Sequence, residues 1–97
     1  GEAGKPANGV KLCARTSASH ALVIRHFNRV GVLAGVLDSL REEGVNVEEM
    51  ENTIFDGGAA ACCTLQLDTA PSPQTIAILE SRDKILQVTL QAVSKSR

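Results

Sequence analysis

A strand that runs through one glycine directly into an amphipathic helix constrains this chain more than any other feature. Residues 20–27 are apolar enough for a buried strand, and Gly31 follows after three intervening residues. Beyond it, apolar side chains recur at the spacing that gives a helix one apolar stripe, namely Val32, Leu33, Val36, Leu37 and Leu40. The turn aims free N–H groups and the positive end of the helix dipole at one place, which favours a carboxylate or a phosphate there.

His26 and Asn28 flank this turn and add two side chains that form hydrogen bonds. Each also has a simpler interpretation, because asparagine is common in turns and helix caps and a histidine can simply end a strand. Spacing alone leaves both interpretations open.

The rest of the chain continues the alternation of strands and helices. Gly44 suits the left-handed position after a helix, residues 56–58 suit a hairpin turn, and Ser72-Pro73 suits a helix N-cap and first position. The pattern predicts a strand at about 20–27, a helix at 31–43, strands at 45–55 and 59–68, a helix at 73–81, and a last strand in which Leu86, Val88, Leu90 and Ala92 share one face. This βαββαβ order predicts the ferredoxin-like α+β fold, with one four-stranded antiparallel sheet carrying two helices on one face.

Length and charge exclude several classes of protein. The 97 residues suffice for one domain, whereas most dinucleotide-dependent enzymes need two. A net charge of −1 and two aromatic residues do not suit a nucleic-acid-binding face, which needs cations and stacking rings. No stretch approaches the ~20 apolar residues of a membrane span, and no Gly-x-Gly-x-x-Gly loop is present for NAD. We therefore expect this domain to bind no nucleic acid, membrane or cofactor.

The cysteines do not form a recognisable metal or redox motif. Cys62 and Cys63 are adjacent, so on a strand they point to opposite faces and cannot easily share a ligand or bridge each other. With Cys13 they make three cysteines without CxxC spacing or a nearby histidine, which indicates small buried side chains. A reduced, cytoplasmic protein fits this usage best.

The second predicted strand, residues 45–55, lies at an edge of the sheet in this fold. Glu48, Glu49 and Glu51 crowd it with negative charge. Neighbours on a strand point to opposite faces, so these carboxylates favour protection of the edge over a metal site. The same edge can still pair with a second copy, giving a homodimer or a higher homo-oligomer.

Two segments of the chain resemble a known family. The run His26-x-Asn28-Arg29-x-Gly31-Val32-Leu33, followed by Gly44-Val45-Asn46-Val47, is similar to the ACT domain at the C-terminus of D-3-phosphoglycerate dehydrogenase. Residues 4–8, Gly-Lys-Pro-Ala-Asn, also resemble the stretch where such dehydrogenases return from the cofactor domain to the substrate domain. The resemblance implies that residues 20–94 are an ACT domain, 1–19 a linker or the end of the parent catalytic region, and 95–97 a tail.

The resemblance also implies a regulatory site for a small amino acid such as L-serine. In serine-inhibited relatives, residues matching His26 and Asn28 line a pocket at a dimer interface, and one matching Asn46 reaches in from the other subunit. The implied ligand-binding residues are His26, Asn28, Arg29, Gly31, Val32 and Asn46. The implied parent reaction is the NAD-dependent oxidation of 3-phosphoglycerate at the head of serine synthesis. The chain departs from the family at Val30, where proline is usual, and this loosens the turn.

Two further interpretations remain open. Many relatives with this fold have lost serine control, so the domain would then serve assembly alone. An acylphosphatase-like enzyme shares the strand order and would use Arg29 and Asn28, but the loop from Phe27 to Gly31 is short and holds one glycine. We therefore expect no catalytic residue in this domain.

Overall fold

Four strands and two helices alternate along the part of the chain that the structure, a computed structural model, describes, which is residues 18–93. They are β1 (His20–Phe27), α1 (Val32–Glu42), β2 (Val47–Phe55), β3 (Ala60–Leu67), α2 (Pro73–Glu80) and β4 (Ile85–Ala92). The predictions for Cys13, for the match at residues 4–8 and for most of the leading segment and the tail lie outside the described residues. Within residues 18–93, no helix is long and apolar enough to cross a membrane.

All four strands join one antiparallel sheet in the order β2-β3-β1-β4. The central pair aligns His20 of β1 with Leu67 of β3 and Phe27 with Ala60. β2 and β4 are therefore the two edges. This order and topology confirm the predicted ferredoxin-like fold, including the edge position of the second strand.

The core lies between one face of the sheet and both helices. Leu22 and Ile24 of β1 lie opposite Leu65 and Cys63 of β3, so these four side chains share a face of the sheet. All four are buried in one cluster with residues from the two helices, namely Val36, Leu40 and Leu79. Both helices therefore cover the same face, as predicted. Full burial of an aliphatic side chain contributes about 1.5–3 kcal/mol, so this cluster supplies most of the stability of a small domain.

Several element boundaries differ from the prediction by one or two residues, and the starts of α1 and β2 differ for a clear structural reason. α1 begins at Val32, not Gly31, because Gly31 has a φ of 86° and serves as the N-cap. β2 begins at Val47, not Val45, because the Val45 amide donates to the Leu40 carbonyl of α1 over 3.0 Å and so belongs to the end of the helix.

A bulge in β4 overturns part of the predicted alternation in that strand. Arg25 of β1 lies opposite Gln87, but the next residue, His26, lies opposite Ile85. Leu86 is the extra residue and is 53% exposed. The prediction that Leu86 shares a face with Val88 is wrong, because a bulge removes one residue from the alternation.

A second bulge lies in β2. The register of β2 against β3 shifts between Val47 and Glu49, which leaves Glu48 as the extra residue. Beyond this bulge the strand is regular to its end at Phe55, where it enters the turn of Asp56–Gly58.

The end of α1 is joined to the start of α2 by a carboxylate. Ser72 is the N-cap of α2, as predicted, and its Oγ accepts the Thr75 N–H over 3.2 Å. The Ser72 N–H donates to Glu43 Oε2 over 3.0 Å. Hydrogen bonds from Thr75 and Ser72 lower the pKa of the Glu43 carboxyl below its usual value.

Candidate functional site

A tight turn joins β1 to α1. The Val32 amide donates to the Arg29 carbonyl over 3.4 Å, and Gly31, the third residue of the turn, has φ 86° and ψ −11°. These angles match a type II turn, in which the third residue needs a positive φ that glycine supplies at little cost. Val30 holds the second position, and its side chain is fully exposed.

The first turn of α1 leaves amide N–H groups free. The Gly35 amide donates to the Gly31 carbonyl over 3.0 Å, and this is the first i to i−4 hydrogen bond of α1. Within the described chain, the amides of Leu33 and Ala34 have no backbone partner, and this turn contains no acidic side chain. The positive end of the helix dipole therefore faces outward without a carboxylate of its own.

A cavity of about 420 Å³ opens beside this turn. One wall is the turn itself and the other is the connection from α2 to β4, and the lining residues are Val30, Gly31, Val32, Arg82, Asp83, Lys84 and Ile85. The volume suits a small metabolite. Two cations and one carboxylate line it, so it offers donors for a carboxylate and an acceptor for an ammonium group.

The side chain of Arg82 lies against α1 at the edge of this cavity. Its Nη2 donates to Ser39 Oγ over 2.9 Å, and an added Cβ on Gly35 would lie 2.5 Å from its Nη1. Glycine inside a helix costs about 1 kcal/mol relative to alanine, and the guanidinium that lies over Gly35 gives this glycine a packing role. The sequence analysis missed Arg82, and Gly35, a glycine in the interior of the predicted helix, was the signal that pointed to a close approach.

His26 is a buried side chain with one nitrogen left unpaired. It is 2% exposed, and its neighbour across the strand pair is Ile85, which lines the cavity. Nδ1 lies 2.8 Å from the Phe27 carbonyl oxygen, and because a carbonyl only accepts, we place the ring proton on Nδ1. Nε2 is then an acceptor, and it has no hydrogen-bond partner among residues 18–93. A buried acceptor left unpaired costs about 1–3 kcal/mol.

Asn28 connects the β1–α1 turn to the β2–β3 turn. Its Nδ2 donates to the Gly58 carbonyl and its backbone N–H to the Ala59 carbonyl, each over 3.0 Å. Arg29 follows with an exposed side chain. Five of the six implied ligand-binding residues, all except Asn46, thus lie in one segment at the start of α1.

Asn46 lies at the opposite end of α1. It lines a second cavity, of about 460 Å³, together with Gly44 and Arg41, and its Nδ2 donates to Glu48 Oε2 over 3.1 Å. The 11 residues of α1 separate the two ends of the helix by about 16 Å at 1.5 Å per residue. A site that uses Asn46 together with the other five residues therefore needs a second copy of the chain.

The cysteines of β3 do not add a reactive group to this site. Cys63 is fully buried in the core, and burial, with a smaller contribution from Cys62, raises the pKa of its thiol to about 11. In the described part of the chain, no three His, Cys, Asp or Glu side chains are grouped so that they could hold a metal ion.

Comparison with known proteins identifies similar folds rather than a family. The sequence matches no protein-family model and no curated protein. Solved structures with the same fold include an unknown protein from Galdieria sulphuraria, with 17% identity, a TM-score of 0.65 and coverage of 82% of this chain and 47% of that one. A homoserine dehydrogenase from Thiobacillus denitrificans shares 19% identity, with a TM-score of 0.63 and coverage of 80% and 18%.

The C-terminal domain of the MgtC protein from Mycobacterium tuberculosis is a third similar structure, with 10% identity, a TM-score of 0.62 and coverage of 78% of this chain and 87% of that one. The present chain spans about half of the Galdieria protein and under a fifth of the homoserine dehydrogenase. The fold therefore belongs to the class of small ferredoxin-like α+β domains, consistent with an ACT domain, and is found within a dehydrogenase chain as well as in a separate domain.

Proposed function

We propose that this chain is an ACT-type regulatory domain that binds a small amino acid at the start of α1 and serves a larger dehydrogenase. The observation that carries the proposal is a cavity of metabolite size that the β1–α1 turn and two cationic side chains line. Ile85 of its lining is the strand partner of His26, whose buried Nε2 has no hydrogen-bond partner among the described residues. The similarity to part of a homoserine dehydrogenase chain supports the association with a dehydrogenase.

The chemistry of the cavity suits a zwitterion. The cationic side chains of Arg82 and Lys84 line the cavity and are donors for the carboxylate of an amino acid. The free amides of Leu33 and Ala34 follow directly after its lining residue Val32. The Asp83 carboxylate, which also lines the cavity, is an acceptor for its ammonium group.

L-Serine is the first effector to test, and D-3-phosphoglycerate dehydrogenase is the first candidate for the parent enzyme. Both follow from the resemblance of residues 26–33 and 44–47 to the ACT domain of that enzyme. NAD would then bind in another part of the parent protein, and this domain would act through the subunit arrangement that the effector stabilises.

A second candidate function is assembly without an effector. One observation favours it, because the amides of Asn28 and Asn46 already form hydrogen bonds in the free chain, to Gly58 and Glu48 respectively. An effector would have to compete with both contacts. The two functions differ only in whether an amino acid binds.

Calorimetric titration of L-serine, glycine and other small amino acids into the 97-residue chain distinguishes them. We expect heat of binding from at least one amino acid, and Asn28→Ala and Asn46→Ala each to weaken it by roughly 1–3 kcal/mol. Gln91→Ala, an exposed amide on β4, is the matched control and should bind as the wild type does. Absence of binding by every amino acid would leave assembly as the function.

Mixing the two variants tests whether the site is shared between chains. In a heterodimer of Asn28→Ala with Asn46→Ala, one site lacks both amides and the other retains both. We expect the mixture to recover a fraction of sites with wild-type affinity. Equal affinity of each variant and the wild type would remove both residues from the site.

A further inference from the structure

The connection from α2 to β4, which forms one wall of the cavity beside α1, is a closed turn. The Ile85 amide donates to the Arg82 carbonyl over 3.1 Å, so residues 82–85 form a β-turn. The Lys84 carbonyl in turn accepts the Phe27 amide of β1 over 2.9 Å. The backbone that carries the charged side chains of this turn is therefore anchored to the sheet.

Arg82 brings to the cavity a cation that has no carboxylate partner among residues 18–93. Its side chain is half-buried, and within that part of the chain its guanidinium makes one hydrogen bond, to Ser39 Oγ. The salt bridge found among the same residues joins Asp38 and Arg41 instead. A guanidinium has five N–H donors, so most of those of Arg82 are unused. A half-buried cation of this kind is screened by water less than an exposed one and attracts an anion more strongly.

The lining of the cavity is net positive in a chain whose formal net charge is −1. Arg82 and Lys84 supply two cations, and Asp83 supplies one carboxylate. The first turn of α1 adds the positive end of a helix dipole and contains no acidic side chain. These charges complement a molecule with one ammonium group and two anionic groups better than a molecule with one of each.

We infer that the effector of this domain is an amino acid with an acidic side chain, namely L-aspartate or L-glutamate. This inference rests on the proposed function and names the effector class for the same cavity. Arg82 binds the α-carboxylate, Asp83 accepts the ammonium group, and Lys84 binds the side-chain carboxylate. The family resemblance points to L-serine, but a neutral side chain would leave the Lys84 ammonium without an anion.

The two cations are held differently, and this difference assigns their roles. The guanidinium of Arg82 is fixed by its hydrogen bond to Ser39 and by its close approach to Gly35. A planar group of donors at a fixed position suits the α-carboxylate, which every amino acid has. Lys84 is exposed, and its ammonium lies at the end of a flexible four-carbon chain, so it can reach the carboxylate of a shorter or a longer side chain. We therefore expect Lys84 to set the preference among amino acids.

Calorimetric titration of the 97-residue chain with matched pairs of amino acids tests this inference. L-Aspartate and L-asparagine have nearly the same shape and differ in side-chain charge, as do L-glutamate and L-glutamine. We expect each acid to bind roughly two- to fivefold more tightly than its amide at low salt, which is the range of an exposed ion pair. Succinate keeps both carboxylates but lacks the ammonium group, so it should bind more weakly than L-aspartate.

Lys84→Gln removes the cation assigned to the side-chain carboxylate and keeps the backbone carbonyl that accepts the Phe27 amide. We expect this variant to bind each acid and its amide equally, with the affinity for the amide unchanged. Arg25→Gln is the matched control, because it removes one positive charge from an exposed side chain on the face of the sheet that the helices do not cover. The control should retain the preference for the acids.

Amide NMR spectra recorded during the titration locate the ligand, since the signals of Gly31 and Gly35 should shift if the ligand occupies this cavity. Shifts there with an amide or L-serine bound as tightly as the acids would overturn the acidic class and leave the amino-acid site standing. Equal loss of preference in Lys84→Gln and Arg25→Gln would show that net charge attracts the acids, and so would overturn the inference. Absence of binding by every amino acid would overturn the inference and the proposed effector site together.

Discussion

The two edges of the sheet expose similar amounts of apolar surface but differ in charge and regularity. β2 carries three glutamates within its nine residues, whereas residues 85–93 carry no charged side chain. Leu86 and Leu90 of β4 are 53% and 38% exposed, comparable to Met50 and Ile54 of β2. A bulge at Leu86 interrupts the uncharged edge, β4. The bulge of β2 lies at Glu48, near the start of that strand, so residues 49–55 stay regular.

The difference shows two ways to control an open strand. A bulge makes an edge a poor template by displacing its hydrogen-bonding groups. Glu49 and Glu51 share one face of a regular strand. Charges placed in this way exclude some pairings and permit others, so they specify a partner instead of only repelling. We therefore expect substitutions on β2 to change self-association and matched substitutions on β4 to leave it unchanged.

The largest effect is expected from a charge on the apolar side of β2. In a dimer that pairs through β2, Ile54→Lys replaces an exposed apolar side chain of each copy with an ammonium group in the interface. We expect dimerisation to weaken by roughly 2–4 kcal/mol, or about 30- to 1000-fold, as measured by sedimentation equilibrium. Leu90→Lys on β4 is the control. If Leu90→Lys dissociated the dimer and Ile54→Lys did not, the interface would lie at β4 and not at β2.

A smaller effect is expected from added charge on the acidic face of β2. Thr53 shares a face of the sheet with Glu49 and Glu51, so Thr53→Glu adds a like charge there in each copy and should weaken a dimer paired through β2 by roughly 0.4–2 kcal/mol in total. Thr53→Lys should strengthen the dimer by a similar amount, and added salt should reduce both effects. Thr89→Glu and Thr89→Lys make the same changes on β4. Equal responses at positions 53 and 89 would show that net charge, not the edge, controls association.

The smallest effect is expected outside both edges, at the turn before α1. Val30 holds the second position of a type II turn, where proline is favoured. Val30→Pro should raise the free energy of unfolding by about 0.4–1 kcal/mol and strengthen effector binding without changing dimerisation. Thermal unfolding of Val30→Pro and of a Val30→Ala control measures the change in stability. A lower melting temperature for Val30→Pro alone would show that the turn needs the Val30 amide or another φ.

The sequence predicts the fold well because its local signals agree with one another. The periodicity of α1, the glycine after its end and the Ser72 cap each specify a local geometry, and the structure confirms each. The edge position of β2 follows once that order is known, because chain connectivity in a βαββαβ unit leaves little choice of strand order. A fold can be predicted from its sequence when the local signals agree with one another.

The bulges and the cavity could not be predicted in the same way. The displacement of Leu86 depends on how β4 pairs with β1. The alternation of apolar residues within one strand does not show how that strand pairs with its neighbour. Arg82 reaches the site only because α2 ends beside Gly35, a contact between residues 47 positions apart. The unpaired Nε2 of His26 is a property of packing, and the sequence could indicate the histidine but not its missing partner.

The length of α1 has a consequence for how such a domain would respond in solution. A binding site whose halves lie about 16 Å apart on one molecule is completed only when two molecules meet. Effector affinity then obeys mass action in the protein as well as in the effector, and dilution of the protein weakens the response. By reciprocity, the factor by which dimerisation tightens effector binding equals the factor by which the effector tightens the dimer. The domain would thus report the product of two concentrations, its own and that of the amino acid.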